Sequence, residues 1–340
     1  MNFNTTNFCD LPAEHPPVLV VVIDTEEEFD WLKSFGCNNA SVRAIRQIHL
    51  VQDIFDDFGI RPVYVIDYPV ANQQEGYQTL LRYAKDGKCE IGAHLHPWVT
   101  PPFSLHVNRL NSYAGNLPAE IEYQKLASLV NCIRGNLGLQ PITYKAGRYG
   151  IGPNTPEILS TLGFSVDLSI CAGMNYSDDG GPDFSELDAR PFWFGPDNSL
   201  LELPFTTGYA GLLKRSAKKW HDWALTPKRA NWHLVGAFAR LNIVNKVRLT
   251  PEGHRACELI ALTRKLSKNG LCIFSFAFHS PSLVPGCTPY VRTEKQLQDF
   301  LKTCRRYFKF FFQDLRGLSM TPSELFNTIS NSVDRNKLLS

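Results

Sequence analysis

Apolar positions along the chain fall into two patterns, short unbroken runs and helical stripes. VLVVVI (18–23) has buried-strand length and ends at Asp24. Over 41–58, Val42, Ile45, Ile48, Val51, Ile54 and Phe55 lie near a 3.6-residue spacing, which predicts an amphipathic helix. PVYVIDYPV (62–70) reads as a second strand, followed by a short helix around 78–86 closed by Asp86-Gly87. CEIGAHLHPW (89–98) reads as a third strand running into Pro97. A helical pattern over 119–137 stops at Gly138, and ITYKAGRYG (142–150) reads as a strand leading into a glycine-rich loop. Pro156 opens a short helix at the first-turn position, where its missing N–H costs little. FSVDLSI (164–170) and LLELPF (200–205) are further strands. A helix at 253–268 leads into LCIFSFAF (271–278), which ends at His279, and helices at 293–308 and from Ser323 follow.

Strands alternating with helices imply an α/β fold with a mainly parallel sheet covered on both faces. About seven β/α units favour an irregular barrel over an open sheet. The stretch 206–250 is less regular and rich in Lys, Arg and Trp, and reads as a helical insertion. No Gly/Ser/Pro tract divides the chain, so one domain over 1–340 is expected, with helices at its C-terminal end (293–330).

At 340 residues the chain can bury a large core, and 44% hydrophobic with 20% charged residues excludes wholesale disorder. A formal net charge of +2 gives no basic excess for nucleic acid or an anionic membrane surface. No run approaches the roughly 20 apolar residues of a membrane helix, so no membrane insertion is expected. The opening MNFNTTNFCDLPAEHPP lacks the pattern of a secretory signal. Nine cysteines stand as singles without a CxxC pair, which points to reduced thiols in the cytoplasm rather than disulfides or structural zinc.

The polar residues of interest sit where apolar strands stop, the end at which parallel α/β folds build their sites. Asp24 and Glu26, two apart on an extended chain, would face the same side. Two close carboxylates repel unless a cation joins them; the bland alternative is a solvated acidic turn. His94 and His96 repeat the i, i+2 relation, and paired imidazoles suit zinc or a similar metal, although a pair of structural histidines would look the same. Arg148 follows the next strand end and can hold Asp24 ionised and oriented, or simply be a surface arginine. His279, ending a strongly apolar strand, is a candidate for proton transfer, against the alternative of a buried structural histidine. Asp67 also ends a strand and can line the site, Asp167 can orient a histidine or the loop arginine, and Asp178-Asp179-Gly180-Gly181 is most simply a turn.

The ordered blocks Asp24-Thr25-Glu26, His94-Leu95-His96-Pro97-Trp98, Ala146-Gly147-Arg148-Tyr149-Gly150 and His279-Ser280-Pro281-Ser282 resemble the polysaccharide deacetylase superfamily. This is the NodB-homology domain, or carbohydrate esterase family 4, and the blocks are most similar to its WalW-type branch. The resemblance covers about residues 17–295. It implies a distorted (β/α)7-type barrel of the NodB-homology kind holding one divalent metal ion, with zinc the expected one. It also implies Asp24 as base, Glu26 and His94 as metal ligands, and His279 as general acid. The family's second metal histidine lies four positions after the first, where this chain has Trp98, so His96 stands in for it. The family's third-motif arginine aligns with Lys145, and Arg148 is an additional cation.

The reading is a metal-dependent amide hydrolase, a carbohydrate deacetylase by resemblance. It removes an N-acyl group, acetyl by expectation, from a sugar or a cytoplasmic sugar precursor. Metal-polarised carbonyl and water, proton uptake by Asp24 and proton delivery by His279 would carry the reaction. Lys145 and Asp67 are placed at the substrate, with Trp31, Trp98 and Tyr149 as aromatic walls for a sugar face. The altered histidine spacing and Lys145 also admit a catalytically silent carbohydrate-binding protein on the same barrel. Hydrolysis of another small C–N amide is a third reading.

Overall fold

The computed structural model describes residues 7–9, 11–12, 14–29, 35–38, 40–210 and 245–338. Its centre is a curled, mostly parallel sheet. The first strand, β1 (Val18–Thr25), is rich in β-branched residues and buried along its whole length, as a strand covered on both faces must be. Around it run β2 (Val63–Ile66), β3 (Glu90–Leu95), β4 (Thr143–Ala146), β5 (Val166–Asp167), β6 (Phe192–Phe194), β7 (Leu200–Glu202), β10 (Ile273–His279) and β11 (Leu318–Ser319). The order is β10-β1-β2-β3-β4-β5-β7-β6, with β11 beside the start of β1. Within this sheet, β6 pairs antiparallel with β7 and the other described pairs are parallel.

The expected barrel of about seven units corresponds to the parallel path from β10 through β7. Between the two ends of that path, extended segments make single hydrogen bonds instead of a full ladder. Ser275 N donates to Thr206 Oγ1 at 2.9 Å, Leu249 N to Thr206 O at 2.9 Å, and Ala277 N to Leu249 O at 3.2 Å.

Helices cover the outside: α1 (His49–Phe58), α2 (Tyr68–Asn72), α3 (Gln74–Lys85), α4 (Ala119–Leu137), α5 (Thr155–Thr161), α6 (Ala256–Lys268), α7 (Glu294–Lys309) and α8 (Pro322–Leu338). Gly138, in the left-handed region at φ 68°, closes α4, where an L side chain would be strained. A reciprocal Thr293–Gln296 capping box opens α7. The α7 aromatics pack on β10, with Tyr307 stacked on Phe276 at 5.3 Å.

Several expected boundaries move. The stripe over 41–58 is a 3-10 turn (Arg43–Gln47) followed by α1. The strand expected over 62–70 stops at Ile66, because Asp67 caps α2 through Val70 N at 2.8 Å and Pro69 sits in its first turn. The runs 164–170 and 200–205 shrink to β5 and β7. Within the stretch expected to be a helical insertion, β8 (Thr207–Ala210) and β9 (Asn245–Arg248) instead pair as an antiparallel ribbon, and 211–244 lies outside the described residues. No helix among the described residues is long and apolar enough to cross a membrane.

Register sets the site. Asp24 on β1 lies beside His279 on β10, and His94 on β3 lies beside Lys145 on β4. Four chemically active side chains thus reach one rim, at the C-terminal ends of neighbouring parallel strands.

Candidate active site

The rim surrounds a cleft of about 310 Å³. At its floor Glu26, just past the end of β1, places Oε2 3.4 Å from Nε2 of both His94 and His96. All three side chains are buried. A tetrahedral ion with bonds of roughly 2.0–2.1 Å holds its ligand atoms about 3.3 Å apart, so this spacing fits a small divalent cation. The tautomers fit as well. His94 Nδ1 lies 3.0 Å from the Lys145 carbonyl oxygen, and as the donor there it leaves Nε2 as a lone pair. His96 Nδ1 lies 2.8 Å from Glu27 Oε2, with the same consequence. Burial, opposed by nearby carboxylates, holds the His96 pKa below its usual value and favours the neutral ligand form. Two imidazoles and one carboxylate leave coordination positions open, as catalytic rather than structural sites do.

A second acidic group supports the first. Glu27 Oε1 accepts from Trp98 Nε1 at 2.6 Å, and Asp67 Oδ2 accepts from Glu27 N at 2.7 Å. Burial pushes Glu27 up to about 7 and, with Glu27 beside it, Asp67 well above the carboxylate range. Glu27, Asp67 and His96 could themselves group around a cation. Their donor atoms are already engaged with one another and with Trp98, so they form the outer layer that orients His96. Gly147 permits this packing: a Cβ there would sit 2.3 Å from His96 Cδ2.

Asp24 lies beside this centre. Lys145 Nζ reaches both its oxygens, at 2.6 and 2.7 Å, and His279 Nε2 is 3.6 Å from Oδ2. Burial alone would raise the Asp24 pKa; Lys145, His94 and His279 outweigh it and hold it below the usual value. Glu26 is treated the same way, with burial opposed by His279, His94 and His96. His279 in turn receives Glu252, whose Oε2 is 2.9 Å from Nδ1 and whose Oε1 accepts from the His279 backbone N at 3.2 Å. Burial lowers the His279 pKa, but Glu252, Glu26 and Asp24 overcome that and raise it to about 10.

The expected residues divide. Asp24, Glu26, His94, His96, Lys145 and His279 converge on one point of the cleft, and Trp98 and Tyr149 line it. Arg148 lines it too but does not pair with Asp24. Arg148 and Tyr149 both turn left-handed, at φ 56° and 58°, which carries the guanidinium away to Asp179, Ser112 and the Tyr113 hydroxyl. Lys145 holds Asp24 instead, and straddles it with one ammonium. Asp67 is fully buried as a helix cap and partner of Glu27, so it orients the site and does not line it. Trp98 is edge-on to Glu27 and stacked on His96 at 4.3 Å, which makes it a support as well as a wall. Asp167 accepts from Ser169 and lies beside Glu202 on the neighbouring strand, with no histidine or arginine bonded to it among the described residues. The turn at Ser177–Asp179 is present, and Asp179 is the counter-charge of Arg148. Trp31 lies outside the described residues.

Sequence reasoning missed Glu252, Arg248 and Tyr290, and gave Glu27 no role. Glu27 alone carried a signal, as the neighbour of Glu26 pointing to the other side of an extended segment.

No protein-family model and no curated protein matches the chain. Among solved structures, one described as a polysaccharide deacetylase from Mycobacterium smegmatis aligns with TM-score 0.56 at 13% identity, over 97% of this chain and 96% of that one. The allantoinase PuuE aligns with TM-score 0.52 at 13% identity, over 96% and 94%. A 4-alpha-glucanotransferase from Thermococcus litoralis aligns with TM-score 0.51 at 13% identity, over 91% of this chain but 40% of that one. The chain therefore has the curled parallel half-barrel of the NodB-like deacetylase fold.

Proposed function

We propose that the chain is a metal-dependent hydrolase that removes an N-acyl group, acetyl first among them, from an amino sugar or sugar precursor. The observation that carries this is the shared 3.4 Å approach of two imidazole nitrogens to one Glu26 oxygen, directly beside the Asp24–Lys145 pair. Glu26, His94 and His96 would hold one divalent ion, zinc being the first choice for such a donor set. When bound, the ion supplies Lewis-acid polarisation of the scissile carbonyl and lowers the pKa of water.

The chain's own groups supply the rest. Asp24, kept ionised by Lys145, accepts a proton at its carboxylate. His279, oriented by Glu252 through Nδ1, presents Nε2 to the cleft as the donor to the departing amine nitrogen. An amine leaves poorly without that proton, so the two groups divide base and acid work between them. The Phe29, Phe35 and Trp98 rings and the stacked Tyr149–Tyr176 pair form apolar walls suited to a sugar face.

The cleft volume is near the lower end for small-molecule sites, which favours a monosaccharide-sized ligand over a long polymer. That small size also supports a second reading, hydrolysis of another compact C–N amide by the same groups. Nine cysteines without a CxxC pair suit a reducing compartment, and with it a cytoplasmic precursor. The motif likeness to the WalW-type branch belongs to this same reading.

The test is release of free acid or amine from a panel of N-acetylated sugars, sugar phosphates, sugar nucleotides and allantoin, with zinc, cobalt or nickel supplied. Turnover of one N-acetyl sugar, abolished by chelation, is the expected outcome. Saturable sugar binding with no turnover under any of the three metals would replace the enzyme with a silent binding protein.

A further inference from the structure

Three permanent cations line the cleft, and they are not equivalent. Lys145 is paired with Asp24, and Arg148 with Asp179, a carboxylate that Arg109 shares. Arg248, at the end of β9, is partly buried and has no carboxylate partner among the described residues. Tyr149 and Tyr290 line the cleft with it and are among the groups that act on its charge. Neither side chain is a carboxylate that would pair with the guanidinium. The Tyr290 ring lies parallel to His279, with centroids 6.5 Å apart, which ties this corner to the reaction centre. Arg248 also borders a small recess shared with Asp24 and His279. A guanidinium that lines a confined cleft, with no carboxylate partner among the described residues, offers its fork to an oxyanion.

We propose that Arg248 is an anion subsite of this cleft, and that the ligand carries a phosphate or carboxylate group on its sugar ring within reach of the guanidinium. Calling that ligand a substrate rests on the hydrolase reading; the binding claim does not. The proposal narrows the acyl sugar to an anionic one, a sugar phosphate or a uronic acid. It also gives a task to a basic residue in the stretch between β7 and α6.

Equilibrium titration of the full-length chain, with chelator present so that turnover does not consume ligand, separates the possibilities. The probes are N-acetylglucosamine 1-phosphate, 2-acetamido-2-deoxyglucuronate and neutral N-acetylglucosamine. One or both anionic probes should bind at least about tenfold more tightly than the neutral sugar, the scale of a charge-assisted contact. The probe with the preference identifies phosphate or carboxylate as the anion. Arg248→Gln should abolish the preference and leave the neutral sugar unaffected. If Arg248→Gln does not fold, Arg248→Lys carries the test: it keeps the charge but loses the fork, and should weaken the anionic probe severalfold. Equal binding of all three probes by the wild type, or a preference undiminished in a folded Arg248 variant, overturns the proposal. Failure of the hydrolase reading looks different: the anion preference persists while the metal-loaded wild type releases no acetate from any probe.

Discussion

The ammonium of Lys145 spans both carboxylate oxygens of Asp24, at 2.6 and 2.7 Å, deep in the floor of the cleft. The pair joins β4 to β1 across two intervening strands and fixes the protonation state of the proposed base. Burial works against an ionised Asp24, so its charge depends on the cations beside it.

Removal of Lys145 should therefore move a titration. In Lys145→Met, burial of Asp24 is opposed only by the remaining His94 and His279 interactions, so its pKa rises. The ionised base is then lost at a higher pH, and the acid limb of the kcat/KM profile shifts toward neutrality. Lys145→Arg should restore part of the shift. An acid limb that stays in place in Lys145→Met would show that Asp24 is not the titrating base.

Asp24→Asn keeps the shape of the side chain and removes its proton affinity. The expected loss in kcat is about 10²–10⁴-fold, the usual contribution of a positioned base, with bound metal retained. Activity within a few-fold of wild type would reassign proton uptake to another group.

Glu27 contacts the proposed ligand His96, and Trp98 contacts Glu27, so both would act on a bound metal through His96. Glu27→Gln should weaken metal affinity about 10–100-fold, the scale of outer-layer partners, without deleting a ligand. Competition with a chromogenic chelator measures this. An unchanged affinity would mean that the Glu27–His96 contact does not tune the site.

Lys125, on α4, is buried and donates to the Pro97, Thr100 and Pro102 carbonyls at 2.9, 2.6 and 2.8 Å. Burial brings its pKa down to about 8. It pins the segment that follows His96 and so holds Trp98 in place. Lys125→Met should destabilise the fold by about 1–3 kcal/mol, because buried carbonyl acceptors lose their donor. Denaturant unfolding checks this; an unaltered midpoint would contradict it.

The polar residues that end apolar strands were legible in the sequence because the hydrophobic runs stop at them. Asp24, His94 and His279 follow from that pattern alone, and parallel register does the rest. Lys145 and Arg148 were harder to tell apart. Both are cations after the same strand, and only the left-handed turn at Arg148 and Tyr149 decides which one faces Asp24. The sequence places Asp67 at a strand end lining the site, whereas its carboxylate caps α2, because a cap and a strand-end ligand look alike in one dimension. Glu252 meets His279 from 27 positions upstream, and no local spacing encodes that contact. The ribbon of β8 and β9 was hidden because its strands are only four residues each and flank a long intervening stretch.

The most direct test is elemental analysis of the purified wild-type chain and of the His94→Ala, His96→Ala double variant after identical exposure to zinc. About one equivalent of metal per chain in the wild type, lost in the folded double variant, is the predicted result. Equal metal content in the two proteins, or a wild type that takes up none, would contradict a centre built on Glu26, His94 and His96.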